Sequence, residues 1–247
     1  MTVSALIFDF DGLLVDTEAP ALRAWEQVLA GYGVVLPVEL WHAAIGTQSS
    51  VATVLAHLEG QVGPVDRDRV RATWWAEHLA LVGLQPLCAG VSDYLTAAAE
   101  LGLRLAVASS ATADWVDTQL RRVGVHDRFA VLSTVDGRRP KPAPDVYLAA
   151  LDALGVGPDE AVAFEDSPNG VAAARAAGLR CVAVPNEVTA RLPFAADLVL
   201  PSFTAMPLAE VLVRMAKSTY PKPTLPPTNH EATGIDTGRR RCDADLP

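Results

Sequence analysis

Cysteine is scarce: Cys88, Cys181 and Cys242 are the only three in 247 residues, an odd number set far apart. Such spacing excludes a disulfide framework and a thiolate metal site, and it points to a reducing compartment. Cys181 is then expected to be a small core residue. Basic charge is also in short supply. Lys and Arg number 20 against 29 Asp and Glu, giving a formal charge of −9. That argues against a nucleic-acid partner, which needs a clustered basic surface to neutralise phosphates. A small phosphorylated ligand stays compatible, because one local cation can outweigh the global charge. No apolar run is long enough to span a bilayer, and the N-terminal run has no basic start and meets Asp9 too soon for a signal peptide. The expectation is a cytoplasmic protein with no membrane partner, acting as a monomer or weak homodimer.

What the chain does have is alternation. Short apolar runs at 3–8, 103–108, 129–132, 161–164, 181–184 and 198–200 read as strands. Helix-like segments at 92–101, 112–123, 144–154, 169–177 and 205–216 lie between or after them. Repeated strand–helix–strand order predicts a parallel sheet covered on both faces, an α/β, Rossmann-like doubly wound core. The stretch after the first strand departs from this rule. It reads as helices only, at 19–32, 39–44, 49–58 and 67–82, and predicts an inserted α-helical cap. The expected division is a core of residues 1–15 and 87–216, a cap of 16–86, and a Pro-rich, disordered tail at 217–247.

Four of the predicted strand ends carry chemistry. In Phe8-Asp9-Phe10-Asp11-Gly12, a buried strand stops on two carboxylates and turns through glycine. Acids near a core are costly unless a cation or protons compensate them. Asp9 at such an end can attack phosphorus, and Asp11 can give a proton to a leaving oxygen and later take one from water. The plain alternative is an acid pair capping the next helix. Val107-Ala108-Ser109-Ser110-Ala111 offers hydroxyls and backbone N–H groups suited to a phosphoryl oxygen, although Ser110 or Thr112 could simply cap a helix. In Arg138-Arg139-Pro140-Lys141-Pro142-Ala143-Pro144-Asp145, flanking prolines restrict the backbone around Lys141 and pre-position its ammonium. In Phe164-Glu165-Asp166-Ser167-Pro168-Asn169-Gly170, hard oxygens at a strand terminus suit Mg²⁺. Asp166 is the preferred ligand, Glu165 a supporting group or a partner for Lys141, and Ser167 or Asn169 a helix cap.

These motifs, in this order and with an insert after the first, resemble the haloacid dehalogenase superfamily, in its phosphatase-type branch with a helical cap that also holds the beta-phosphoglucomutases. The resemblance covers about residues 1–216. It implies Asp9 as nucleophile and Mg²⁺ ligand, and Asp11 as general acid/base that lends its backbone carbonyl to the metal. It further implies Ser109 as a phosphate-binding hydroxyl, Lys141 as the charge-stabilising lysine and Asp166 as the remaining metal ligand. The second aspartate sets the chain apart from the dehalogenases.

The cap departs from the mutases. Ala21 stands where many relatives carry a histidine, and Gly46-Thr47-Gln48-Ser49 replaces a Gly-x-x-Arg whose arginine holds a remote phosphate. Losing a guanidinium removes a bidentate clamp. Glu18, Gln48, Ser49 and Ser110 remain candidate substrate contacts, Trp25 and Trp41 are expected in the cap core, and the histidines receive no role. The expected activity is Mg²⁺-dependent hydrolysis of a small phosphorylated metabolite through an aspartyl phosphate. A sugar-phosphate mutase and a non-catalytic phospho-ligand-binding protein are the alternatives.

Overall fold

Strand β1 (Ala5–Phe8) is wholly buried, and it occupies the middle of a sheet because nothing in Ala-Leu-Ile-Phe needs water. The computed structural model describes residues 2–44 and 50–217. Helices α1 (Glu18–Ala30), α2 (Val38–Ala44), α3 (Ser50–Val62) and α4 (Arg67–Val82) follow β1. The chain then runs α5 (Val91–Glu100), β2 (Arg104–Ala108), α6 (Ala113–Arg122), β3 (Val131–Ser133) and α7 (Asp145–Leu154). It ends with β4 (Ala161–Glu165), α8 (Pro168–Ala176), β5 (Arg180–Ala183), β6 (Leu198–Val199) and α9 (Leu208–Lys217).

The six strands lie in the order β3-β2-β1-β4-β5-β6, and every pairing is parallel. The chain therefore winds outward from β1 in one direction and then, from β4, in the other. Ligands collect outside the carboxyl ends of strands at such a reversal.

The period of two along the strands divides the core. Leu6 and Phe8 join Leu105, Val107, Val162 and Phe164 on one face, under α5, α6 and α9. Ala5 and Ile7 join Ala106, Ala108, Ala161, Ala163 and Ala183 on the other, where short side chains let α7 and α8 settle close to the sheet. Phe8 stacks on Phe164 at 4.9 Å between centroids, a contact worth about 0.5–1.5 kcal/mol beyond the area it buries.

The inserted helices have their own core. Trp25 of α1 stacks on Trp74 of α4 at 4.9 Å, with Trp41, Leu29, Leu58 and Val70 around them. Both ends of the insertion are tied together: Val15 and Leu87 form an antiparallel bridge, and Cys88 N donates to Leu14 O at 2.9 Å. Cys181 is buried in the sheet. Among the described residues, no helix is long and apolar enough to cross a membrane.

Several boundaries differ from the sequence expectation; α3 runs on to Val62 rather than ending at 58, and β1 begins at Ala5 rather than 3. The third strand begins at Val131 rather than 129, because His126–Arg128 forms a 3-10 turn and Phe129 plugs edge-on against Phe8 from the loop, centroids 6.3 Å apart. The last helix begins at Leu208 rather than 205. A 3-10 turn at Phe203–Ala205 precedes it, and the Pro207 carbonyl receives its first N–H bonds, from Glu210 and Val211. The expected tail from residue 218 onward lies outside the described residues.

Candidate active site

All six parallel strands present their carboxyl ends on one edge, so the side chains that follow β1, β2 and β4 converge there. The β1–β4 ladder extends one step past the strand, with Asp9 N donating to Phe164 O at 2.9 Å, and this fixes the Asp9 backbone. Beyond it the chain turns sharply. Gly12 has φ +79, and a side chain there would collide with the Asp166 carboxylate and come within 2.6 Å of Asn186 Nδ2. Glycine is required on both counts.

Lys141 reaches in from the loop between β3 and α7 and is almost fully buried. Its Nζ lies 2.5 Å from Asp9 Oδ1 and 2.5 Å from Glu165 Oε1, and 5.1 Å from the Tyr147 ring centroid. Ser110 Oγ accepts from Lys141 N at 3.0 Å and holds the loop against the end of β2. Burial alone would lower the ammonium's pKa; the charges of Asp9 and Glu165 outweigh it and keep Lys141 protonated. Tyr147 OH donates to Glu165 Oε1 at 2.5 Å, so Glu165 is engaged from two sides. Its role as a partner for Lys141 is visible directly.

Asp9, Glu165 and Asp166 offer carboxylate oxygens all within 4.8 Å of one another, and all three residues are buried. Three acids face one ammonium. Burial first, and then the charges of Asp9 and Glu165, push the Asp166 carboxyl well above its ordinary value. Buried oxygen donors with surplus negative charge fit a hard dication such as Mg²⁺, which needs only one or two protein carboxylates. Asn186, in the loop after β5, donates to Asp166 Oδ2 at 2.7 Å and to Gly12 O at 3.2 Å, and so ties the two acid loops together.

Asp11 has a different environment. Its Oδ1 accepts from Trp115 Nε1 at 2.8 Å and from the Thr17 hydroxyl at 3.0 Å, while Ser109 Oγ lies 3.4 Å from Oδ2. Loss of water, and then the charge of Asp9, push this carboxyl up to about 6. Glu18, at the start of α1, is pushed up to about 8 by burial and then by Asp11 and Asp9. These acids share a cavity of about 350 Å³ with Ser109, Ser110, Lys141 and Asp166. Its far wall is the cap, through Trp41, Trp74, Trp75 and His78.

Residues 6–184 match the family model described as haloacid dehalogenase-like hydrolase. The chain belongs to this family. The Bacillus subtilis protein YhcW is 40% identical over 216 residues, spanning 85% of this chain and 96% of YhcW. Hexitol phosphatase B of Escherichia coli K12 is 32% identical over 217 residues, spanning 85% of this chain and 97% of that protein. Among solved structures, a CbbY variant from Rhodobacter sphaeroides in complex with xylulose-(1,5)bisphosphate superposes with a TM-score of 0.69 at 33% identity, covering 82% of this chain and 95% of that one.

Within this haloacid dehalogenase-like site, the structure brings together Asp9, Asp11, Ser109, Ser110, Lys141, Asp166 and Glu18. Gln48 lies outside the described residues. Ser167 caps α8 by accepting from Gly170 N at 3.1 Å, one of the two caps expected there. Arg139 is bound to Asp145 at 2.8 Å on the surface, away from the acids. Among the contributors that escaped the sequence reading are Trp115, Tyr147, Asn186 and His78. Asn186 could have been found by the rule that led to Asp9 and Asp166, since it follows a buried strand. Trp115, Tyr147 and His78 sit inside helices, where their spacing looks like ordinary packing.

Proposed function

We propose that the chain is a Mg²⁺-dependent phosphomonoester hydrolase working through an aspartyl phosphate on Asp9. Membership in the hydrolase family, and similarity to hexitol phosphatase B, make it a phosphatase enzyme. The observation that carries the finer reading is the division of labour between the two acids. Asp9 is ion-paired to Lys141 beside Asp166, whereas Asp11 sits against Trp115 and Thr17 with its carboxyl held near neutrality. Two carboxyls with different environments can take different proton roles.

Asp9, Asp166 and the Asp11 backbone carbonyl would hold Mg²⁺. When bound, the ion offsets the charge of the three acids and of the phosphoryl oxygens. An Asp9 carboxylate oxygen then attacks phosphorus in line while the bond to the leaving oxygen breaks. Asp11 donates its proton to that oxygen. Because its Oδ1 already accepts two hydrogen bonds, Oδ2 is the oxygen that carries the proton. In the second half, Asp11 takes a proton from water, the water oxygen attacks phosphorus, and inorganic phosphate leaves with Asp9 restored. Lys141 stays protonated throughout and faces the charge that builds on the transferred group. Glu165 and Tyr147 position Lys141, and Ser109 binds a phosphoryl oxygen.

The cap, residues 16–86, closes over the substrate, hinged where Val15 meets Leu87. The substrate is a small metabolite of the sugar-phosphate kind, as the names of hexitol phosphatase B and of the CbbY complex suggest. Simple transfer to water is favoured over mutase chemistry because the segment Gly46-Thr47-Gln48-Ser49 holds no arginine to retain a second phosphate. The test is Asp9→Asn. It should abolish phosphate release from every ester while the far-ultraviolet spectrum stays that of the wild type; substantial turnover would refute the assignment.

A further inference from the structure

The chain has five tryptophans, and the structure gathers all of them at one place. Trp41, Trp74, Trp75 and Trp115 line the cavity, and Trp25 stacks behind Trp74. The rings form a connected wall across the two parts of the molecule. Trp75 and His78 of α4 lie 5.4 and 5.7 Å from Trp115 of α6, centroid to centroid, and 5.4 Å from each other. Packing within the cap does not account for this arrangement, because Trp75 remains 41% exposed. An exposed tryptophan on a cavity wall is a contact waiting for a ligand's apolar face.

We propose that the Trp75–His78–Trp115 wall is a specificity element that selects a closed, uncharged ring as the leaving group of the phosphomonoester. The inference rests on the hydrolase reading above, and it sets this chain's substrate apart from the hexitol and the bisphosphate that the names of hexitol phosphatase B and of the CbbY complex carry. Three observations support it. The faces of the rings are electron-rich and attract the C–H face of a pyranose, which lies flat against them, or the edge of an aromatic ring, which meets them end-on. Three of the cavity's hydroxyls already donate to the protein's own carboxylates: Thr17 and Ser109 to Asp11, and Ser167 to Glu165. An open-chain polyol, with hydroxyls on every side, would bury several without partners, whereas a ring keeps them at its rim. Finally, Lys141 is the one Lys or Arg among the described residues that line the cavity, and it is held between Asp9 and Glu165. His78, neutral because burial lowers its pKa, adds no charge. A leaving group bearing a second phosphate would meet Glu18 and no counter-charge.

The test compares kcat/KM for phosphate release, with Mg²⁺, from glucose 6-phosphate and benzyl phosphate against sorbitol 6-phosphate, glycerol 3-phosphate and fructose 1,6-bisphosphate. The better ring monoester should lead the open-chain esters and the bisphosphate by about tenfold or more, the scale of one good side-chain contact. Trp75→Ala should shrink that lead by about fivefold, mainly through KM, while Trp75→Phe retains most of it. Because Trp75 is partly exposed, its truncation opens no core cavity. A lead for an open-chain ester or the bisphosphate, or a lead untouched by Trp75→Ala, overturns the wall but leaves the hydrolase reading standing. No phosphate released from any ester overturns both.

Discussion

The Trp115 indole donates to the same oxygen of Asp11 that the Thr17 hydroxyl reaches, at 2.8 and 3.0 Å. One donor comes from a core helix and the other from the connection into the cap. Asp11 is therefore oriented by both parts of the molecule, and only when they sit together.

Trp115→Phe keeps an aromatic ring but removes the donor. A hydrogen bond to a charged group contributes about 1.5–3 kcal/mol, and a misdirected carboxyl loses proton transfer rather than binding. The expected result is a kcat lower by about tenfold or more, with KM within about twofold of wild type. Steady-state kinetics on one good substrate checks it. A kcat unchanged within error means that Thr17 alone orients the acid.

Lys141 compensates two buried acids, Asp9 and Glu165, and is the one Lys or Arg among the described residues that line the cavity. Lys141→Met keeps the length and removes the charge. Leaving buried carboxylates unpaired costs about 3–5 kcal/mol. Urea unfolding in chelator should show a loss of this size, with hydrolysis abolished as well. A stability equal to wild type would mean that the acids shed their charge at no cost.

How far the sequence revealed the site follows from where its parts lie. Asp9, Asp166 and Lys141 sit where the chain leaves a buried strand or passes between prolines, and polar residues in such places have no packing explanation. Trp115 and His78 lie on helices whose spacing is satisfied by a packed face alone, so their contacts with Asp11 and with the cavity appear only when α4 and α6 are brought together. The sheet was legible because each strand is short, apolar and flanked by helical pattern. Its order was not, since β4 pairs with β1 and not with β3, its neighbour in sequence, and nothing in the strands' composition selects that partner. The start of β3 was misplaced for a related reason: Phe129 has strand chemistry but packs from a loop, and composition does not distinguish the two.

Asp9, Glu165 and Asp166 crowd three acids around one lysine, so in the metal-free protein the ionised form of Asp166 is opposed by burial and by its neighbours. Thermal melts should show wild type rising by several degrees on adding Mg²⁺, as ligand linkage requires. Asp166→Asn should melt above wild type in chelator, because one repulsion is gone, and should lose most of the Mg²⁺ response. A variant that still responds fully would place the ion elsewhere.

Gly170 in α8 leaves space that the Glu165 carboxylate fills; a methyl group there would overlap it. The carboxylate cannot move far without releasing Lys141 and Tyr147. Gly170→Ala should therefore destabilise by about 1–3 kcal/mol despite the higher helix propensity of alanine. It should also lower kcat through the displaced ammonium. An increase in stability would show that propensity wins and that Glu165 has room to shift.

His78 gives the fold an acid-side weakness. Its ring packs against Trp74, Trp75 and Trp115, and its Nε2 meets the Thr17 carbonyl at 3.3 Å. Burial drives its folded pKa below the ordinary 6.5, with the Thr17 contact opposing. Above that value the imidazole is neutral in both folded and unfolded chains and contributes no pH dependence. As pH falls through it, the unfolded chain takes up the proton first, and stability declines by at most about 1.4 kcal/mol per pH unit until the folded pKa is reached. His78→Gln removes the titration. Urea midpoints measured between about pH 7.5 and 5 should thus fall more steeply for wild type than for the variant, with the divergence beginning near the ordinary histidine pKa. Parallel curves would mean that the folded protein lets His78 protonate, and that the aromatic wall opens to water on acidification.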